Sequence, residues 1–197
     1  MSLPPPTAER DPVHGRTITI RGYQRRDGLW DIEGQLRDVR DQHFVFPGGE
    51  RPGGEAIHSM WLRLTVDSTA LIVDAVAATD AAPFPDACGD IAPDYAQLIG
   101  LRVGPGFSRQ TARLFNGVRG CTHMSELLRT MATGVLQALA GTHLTVSDTH
   151  KPFQLDGCHA LATDGPRVAE FYPRWYRSKS EEAEAPCEQP AVWGPKL

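Results

Sequence analysis

Two short segments of the sequence each bring a cysteine and a histidine close together. Residues 117–126, GVRGCTHMSE, contain Cys121 and His123, and residues 156–161, DGCHAL, contain Cys158 and His159. Thiolate and neutral imidazole are the usual ligands of Zn²⁺, and both also suit iron. A cysteine on its own is more often a buried, inert residue. The repeated pairing therefore favours one metal-holding or reactive site built from both segments.

Cys121 comes directly before a strongly helical segment, with Thr122 as the predicted N-cap residue. The free N–H groups and the positive end of the helix dipole would favour a thiolate there. His123 and Glu126 are three residues apart, so they share one face of that helix. Glu126 is accordingly a candidate for moving protons beside a metal.

Three more residues stand near turns or strand ends. Cys88 lies in FPDACGDIAP, just before a predicted helix, and is a further candidate ligand. Asp80, in ATDAAPFP, is a second candidate proton carrier, although an aspartate before a proline turn commonly caps that turn. His58, in AIHSMW, begins a strand and gains a role only if it converges on Cys121. The predicted metal ligands are thus Cys88, Cys121, His123, Cys158 and His159. The metal, Zn or Fe, stays open because no C-x-x-C motif is present.

Composition excludes some classes of function. The chain has 197 residues and a formal net charge of -4, so it lacks the basic field that attracts nucleic acid or anionic lipid. No apolar run is long enough for a membrane span or a secretory signal, so we expect a cytoplasmic protein with free thiols. Cys187 falls in an acidic tail and is given no role. Nor is any role given to the remaining histidines, His14, His43, His143 and His150.

The order of hydrophobic patterns predicts an α+β fold. TITIRGY and LWDIEGQLRDV alternate apolar and polar residues around an Asp-Gly turn, which indicates a β-hairpin. IHSMWLRLTVD and STALIVDAVAATD form a second hairpin, and the FPGGERPGGE segment between the two hairpins is predicted to be a loop. The four-stranded antiparallel sheet needs helices over its apolar face. One long amphipathic helix is predicted at about 122–140, with shorter helices in IAPDYAQLIG and PRVAEFY.

The predicted organisation is a single α+β domain over residues 16–177. The Pro-rich segment 1–15 and the acidic, Pro-containing tail 178–197 are predicted to be disordered.

Several of these stretches together resemble the bacterial domain-of-unknown-function family DUF2889, from about residue 14 to residue 177. The stretches that carry the resemblance are RDGLWDIEGQLRD, IHSMWLRLTVD, ATDAAPFPDAC, IAPDYAQLIGLRVGPGF, GVRGCTHMSELL and DGCHAL. The family implies no mechanism. The order of hairpin, cysteine and amphipathic helix is also similar to iron–sulfur scaffold proteins of the NifU/IscU type, which implies that Cys88 and Cys121 meet in space. Unlike those proteins, this chain has its Cys-Gly-Asp after a hairpin, and it adds an N-terminal hairpin.

Three functions are compatible with these residues. The first is a small Zn- or Fe-dependent enzyme acting on a small organic acid or acyl derivative. The second is an acyl- or sulfur-transfer enzyme that uses Cys121 as a nucleophile without a metal, with His123 or His159 as its base. The third is a non-enzymatic accessory protein that binds a metal cluster or a partner enzyme. Whichever function applies, the expected partners of the protein are a small-molecule substrate and a second copy of the chain or a partner enzyme. Neither nucleic acid nor a membrane is expected as a partner.

Overall fold

A computed structural model describes residues 3–140, 151–152 and 154–178 of the chain. The chain divides into two compact units, Met1–Leu144 and Thr145–Leu197. The tail beyond residue 178, with Cys187, and the residues His143 and His150 lie outside the described part. The predicted extents of the single domain and of the disordered ends stay predictions.

The strands of the first unit, within the described residues, are β1 (Gly15–Gln24), β2 (Trp30–Val39), β3 (Phe44–Phe46), β4 (Gly49–Arg51), β5 (Ala56–Val66) and β6 (Ile72–Ala81). Four of them form an antiparallel sheet in the order β1-β2-β5-β6, which confirms both predicted hairpins. Strands β3 and β4 form a separate two-stranded sheet.

The small sheet corrects the prediction that FPGGERPGGE is a loop, because its first half contributes to β3 and β4. One side-chain contact crosses this pair of strands: the Arg51 guanidinium of β4 lies 5.7 Å from the ring centroid of Phe46 of β3. Strands of three residues are too short to show an alternating pattern in the sequence.

Helices cover one face of the large sheet, so the predicted α+β class is confirmed. The α-helices are α1 (Pro85–Gly89), α2 (Phe107–Phe115), α3 (Thr122–Leu139) and, in the second unit, α4 (Pro166–Phe171). Short 3₁₀ segments span Ala92–Leu98, Gly117–Arg119, His159–Leu161 and Pro173–Trp175. None of the helices in the described ranges has the length and apolarity that a membrane span requires.

Three local predictions need correction. Cys88 precedes the predicted helical segment but itself lies inside α1, a short helix that was not predicted, and IAPDYAQLIG forms a 3₁₀ segment, as short helical pieces often do. Helix α2 was not predicted either. Its buried residues Phe107, Thr111 and Phe115 recur every four positions, but the polar sequence between them hides the periodicity.

The long predicted helix is confirmed as α3, which lies directly against β1 and β2. A Cβ atom at Gly34 of β2 would come within 2.6 Å of Met131 Sδ and 2.9 Å of Leu127 Cδ1. A Cβ atom at Gly134 of α3 would likewise come within 2.5 Å of Ile20 Cγ2. Because neither glycine carries a side chain, the helix can approach the sheet this closely. The buried residues of α3 are Met124, Leu127, Leu128, Met131, Val135 and Leu139.

We expect Gly34→Ala to lower the free energy of unfolding by about 1–3 kcal/mol, since the added methyl group overpacks the contact with α3. Urea unfolding followed by circular dichroism measures the effect. Gly104→Ala is the matched control, because a Cβ atom there meets no neighbour within 4 Å. Equal stability of the two variants would contradict the close approach of helix and sheet.

Candidate functional site

Strand register brings three polar side chains into one row across the sheet. Arg16 of β1 lies opposite Asp38 of β2, and Asp38 lies opposite His58 of β5. Asp38 occupies an inward position, because it continues the period-two series that contains the buried residues Ile32 and Leu36. The row therefore sits at the end of the apolar face that α3 covers.

Asp38 is only 2% exposed and is held by Arg16. Arg16 Nε and Nη2 donate hydrogen bonds of 2.7 Å to the two carboxylate oxygens. His14 Nε2 lies 3.4 Å from Oδ1. Burial alone would raise the pKa of Asp38, but the hydrogen bonds and charge of Arg16 outweigh it and hold the pKa below its usual value. Asp38 is therefore a buried carboxylate that stays ionised at neutral pH.

Two imidazoles converge on the same oxygen of Asp38. His58 Nδ1 is 3.0 Å from Oδ2, and His123 Nε2 is 3.7 Å from it. The two rings stack with centroids 3.8 Å apart. Since an ionised carboxylate can only accept, His58 donates from Nδ1, and its Nε2 keeps a free lone pair. Asp38, His58 and His123 each offer a potential ligand atom, and these atoms lie within 4.8 Å of one another.

Both imidazoles are held in the neutral form. Burial lowers the pKa of His58 below 6.5 despite the nearby charge of Asp38. Burial likewise lowers the pKa of His123, and the neighbouring His58 adds to the effect. Neutral imidazole is the form that accepts a proton or binds a metal.

Cys121 completes the cluster from the start of α3. Its Sγ lies 3.8 Å from His123 Nδ1 and 3.8 Å from Met60 Sδ. Cys121 itself is the N-cap residue, which corrects the assignment of Thr122 to that position. The hydroxyl of the buried Tyr95 lies 3.4 Å from the Cys121 nitrogen and 3.5 Å from its carbonyl oxygen, which fixes the backbone there. His123 therefore has one nitrogen toward Asp38 and the other toward a thiol.

A cavity of about 420 Å³ opens beside this cluster. Its lining includes the cluster residues His58, Cys121 and His123, together with Cys88 from α1. The other residues of the wall are mostly apolar: Met60, Pro83, Phe84, Ala87, Ile91, Val118, Gly120 and Thr122. Three of the predicted ligands, Cys88, Cys121 and His123, thus share one cavity. His58 lines the same cavity as Cys121, and convergence on Cys121 was the condition for giving His58 a role.

Two of the remaining predicted site residues, Glu126 and Asp80, belong to the first unit but do not line the cavity. Glu126 is partly exposed and accepts a hydrogen bond from Arg16, so it joins the cluster indirectly. Asp80 accepts a hydrogen bond of 2.7 Å from Trp61 Nε1, and Trp61 alternates with Met60, so Asp80 lies on the opposite face of the sheet. Cys158 and His159 belong to the second unit, where Cys158 is exposed. Their predicted role as ligands stays a prediction.

Sequence reasoning missed Asp38 and Arg16 and assigned His14 no role. A usable signal existed for the first two, because both occupy inward positions of otherwise apolar alternating strands. Arg16 precedes Ile18 and Ile20 at a spacing of two, as Asp38 follows Leu36. Charges at such positions are rarely buried unless they are paired. His14 precedes β1 and offers no comparable signal.

The comparisons with known proteins give a family and nothing further. The model of the family described as "Protein of unknown function (DUF2889)" matches residues 14–137. Neither the search of curated proteins nor the search of solved structures found a match. The likeness to NifU/IscU-type scaffold proteins is therefore unsupported.

We expect Arg16→Gln to lower the free energy of unfolding at pH 7 by about 2–3 kcal/mol, because it leaves a buried carboxylate without its cation. Asp38 has a lowered pKa in the folded protein, so it stabilises the fold above its unfolded pKa of about 3.9. That contribution is lost as the pH falls through the folded value. Without Arg16, burial raises the pKa of Asp38, so acidification protonates this carboxylate and restores stability to the variant. The difference in unfolding free energy between the wild type and the variant therefore narrows as the pH falls toward about 4.

Urea unfolding with a chelator present, at several pH values, measures this difference. Arg25→Gln serves as the control, since Arg25 pairs with the exposed Asp27 at 2.6 Å. That variant should change stability by about 0.5 kcal/mol or less. An Arg16 variant that matches the control would rule out the ion pair as a support of the site.

Proposed function

Because the chain belongs to the DUF2889 family, whose description names no activity, we propose a function from the site itself. The protein is a small Zn- or Fe-dependent enzyme that acts on a small organic acid or acyl derivative. Cys121 Sγ, His123 Nδ1 and His58 Nε2 bind the ion. Asp38 orients both imidazoles through the ring nitrogens that do not bind the ion. The single observation that carries the proposal is that His123 turns one nitrogen to Asp38 and the other to Cys121.

Asp38 suits the role of an orienting residue better than that of a ligand. Both of its oxygens already accept hydrogen bonds from Arg16, and Oδ2 also faces the two imidazoles. Metal-binding histidines commonly direct their second nitrogen to a carboxylate, which fixes the ring and strengthens it as a ligand. A buried, ionised Asp38 beside both rings fits that arrangement.

The spacing of one pair of donor atoms also supports an ion. A sulfur and a nitrogen bound to one tetrahedral Zn²⁺ lie about 3.5 Å apart. Cys121 Sγ and His123 Nδ1 are separated by 3.8 Å, so a small side-chain movement would bring this pair to one ion. For His58 Nε2 to join them, His58 must also turn out of its stack with His123, in which the ring centroids are 3.8 Å apart. One thiolate and two neutral imidazoles form a donor set that suits Zn²⁺ or Fe²⁺. Cys88 lines the same cavity but is not one of the three proposed ligands.

Three protein ligands leave one position open for water or substrate, as catalytic zinc sites do. When bound, such an ion polarises a carbonyl group or activates a water molecule. Glu126 is the better of the two predicted proton carriers, because Arg16 ties it to the cluster. Asp80 is engaged by Trp61 on the other face of the sheet, so the proposal gives it no part.

Protein purified anaerobically without a nickel column should contain about one Zn or Fe per chain by elemental analysis. Cys121→Ser, His123→Ala and His58→Ala should each lose the metal. Asp38→Asn should weaken metal affinity by about 10- to 100-fold, because only the orientation of the ligands suffers. Cobalt-loaded protein should show a thiolate charge-transfer band that Cys121→Ser abolishes.

His43→Ala is the matched control, since His43 is exposed and, within the described residues, its imidazole pairs with Glu50 at 3.2 Å and lies outside the cavity. It should retain the metal in full. Protein that is isolated without metal and binds none of Zn²⁺, Fe²⁺ and Co²⁺ on reconstitution would contradict the proposal. Full metal content without turnover of any acyl compound would favour a metal-binding accessory protein, with a partner enzyme as its target.

A second candidate function is acyl or sulfur transfer by Cys121 without a metal. The observation that favours it is the same 3.8 Å separation of Cys121 Sγ from His123 Nδ1, at the start of an 18-residue helix. A neutral imidazole there can take the thiol proton as the sulfur attacks an acyl group. His123, one of the two bases considered from the sequence, is therefore the base in this candidate.

Under this second candidate, activity persists with a chelator, and iodoacetamide at pH 6 labels Cys121 about tenfold faster than Cys88. His123→Gln should remove that advantage. Peptide mass spectrometry resolves the two rates within one sample. Equal labelling of the two cysteines in metal-free protein would eliminate the nucleophile.

A further inference from the structure

The cavity beside the cluster has walls that select a class of ligand. Beyond the cluster, apolar side chains supply most of the lining, including Met60, Ala87 and Ile91. Two more, Phe84 and Val118, stand at the mouth and are 51% and 102% exposed. Single exposed apolar residues are common on protein surfaces, but two at the rim of one cavity form a binding surface.

No lysine or arginine belongs to this wall within the described part of the chain. Arg16, which contacts Asp38 of the cluster, is committed to Asp38 and Glu126. A carboxylate or phosphate placed against the apolar wall, away from the cluster, would lose water without gaining a lysine or arginine of that wall as counterion, which is unfavourable. The part of a ligand that lies against the apolar wall must therefore be uncharged.

The dimensions of the cavity limit the size of that group. Its volume of about 420 Å³ lies within the usual range for small-molecule sites. A closed cavity of roughly 150 Å³ accommodates one benzene ring. The available space thus suits a single aromatic ring or a branched aliphatic group together with its carbonyl.

We propose that the substrate is a neutral acyl derivative, an ester, thioester or amide, whose aromatic or branched aliphatic group occupies this cavity. Its carbonyl lies at the end formed by His58, Cys121 and His123, and Phe84 and Val118 select the apolar group. The placement of the carbonyl rests on the proposed function, whereas the preference for an uncharged apolar group rests on the cavity alone.

The test uses the full chain, made metal-free with a chelator and labelled with ¹⁵N. Benzamide, acetamide and 4-carboxybenzamide are titrated separately, and the shifts of backbone amides near Val118 and Cys121 give each dissociation constant. Benzamide should bind at least about tenfold more tightly than acetamide, because its ring buries apolar surface. The added carboxylate of 4-carboxybenzamide should weaken binding about tenfold or more.

Phe84→Ser and Val118→Ser should each weaken benzamide binding about five- to tenfold, while acetamide binding stays the same. Both residues are exposed, so these variants should fold, which thermal unfolding verifies. Val76→Ser is the control, since Val76 is 45% exposed and lies opposite Arg63, outside the cavity. It should leave benzamide binding unchanged.

Equal affinity for benzamide and acetamide, tighter binding of 4-carboxybenzamide, or no binding of any probe would overturn the inference. Because the titration uses metal-free protein, it does not depend on the metal analysis. A failure of metal binding with intact selectivity for benzamide would remove the proposed function alone. Metal binding without that selectivity would remove this inference alone.

Discussion

The site depends on one buried carboxylate and the guanidinium that keeps it charged. Asp38 sits where the apolar inner face of the sheet ends, and Arg16 meets both of its oxygens from the neighbouring strand. Without that cation, burial would drive the carboxylate toward its neutral form, and a neutral acid would orient the imidazoles differently. With Arg16 present, Asp38 sets the direction of His58 and faces the Nε2 atom of His123.

The rest of the first unit delivers the other atoms to this carboxylate. The hydrogen-bond register of β1, β2 and β5 lines up Arg16, Asp38 and His58 without any loop. Cys121 and His123 arrive from α3, whose position follows from its close packing at Gly34. Side chains on rigid elements hold their geometry better than side chains on loops do. The cluster is thus built on strands and a helix that pack closely against one another.

The charge distribution around the cluster divides it into two sides. On one side, the Arg16 guanidinium pairs with the carboxylates of Asp38 and Glu126 in one linked set of charges. On the other side, the cavity is lined mainly by apolar groups and by two thiols. A metal ion or a reacting thiol between these sides would face a polar, oriented support behind it and an apolar binding space in front. Such a boundary is common in small-molecule sites, where a few polar groups orient a ligand that apolar walls enclose.

The sequence by itself determined the hairpins, the long helix and the apolar face, because periods of two and of about 3.6 residues are local properties of the chain. It also identified Cys121 and His123, whose spacing at a helix start is visible without a structure. Only the tertiary structure decided which residues meet them: Asp38 lies 85 positions before His123 in the chain and reaches it through sheet register and helix packing. Long-range pairing of this kind depends on how the strands and the helix pack together, and no local pattern encodes it. For the same reason the sequence grouped Asp80 with the site, although strand alternation directs its side chain to the other face of the sheet.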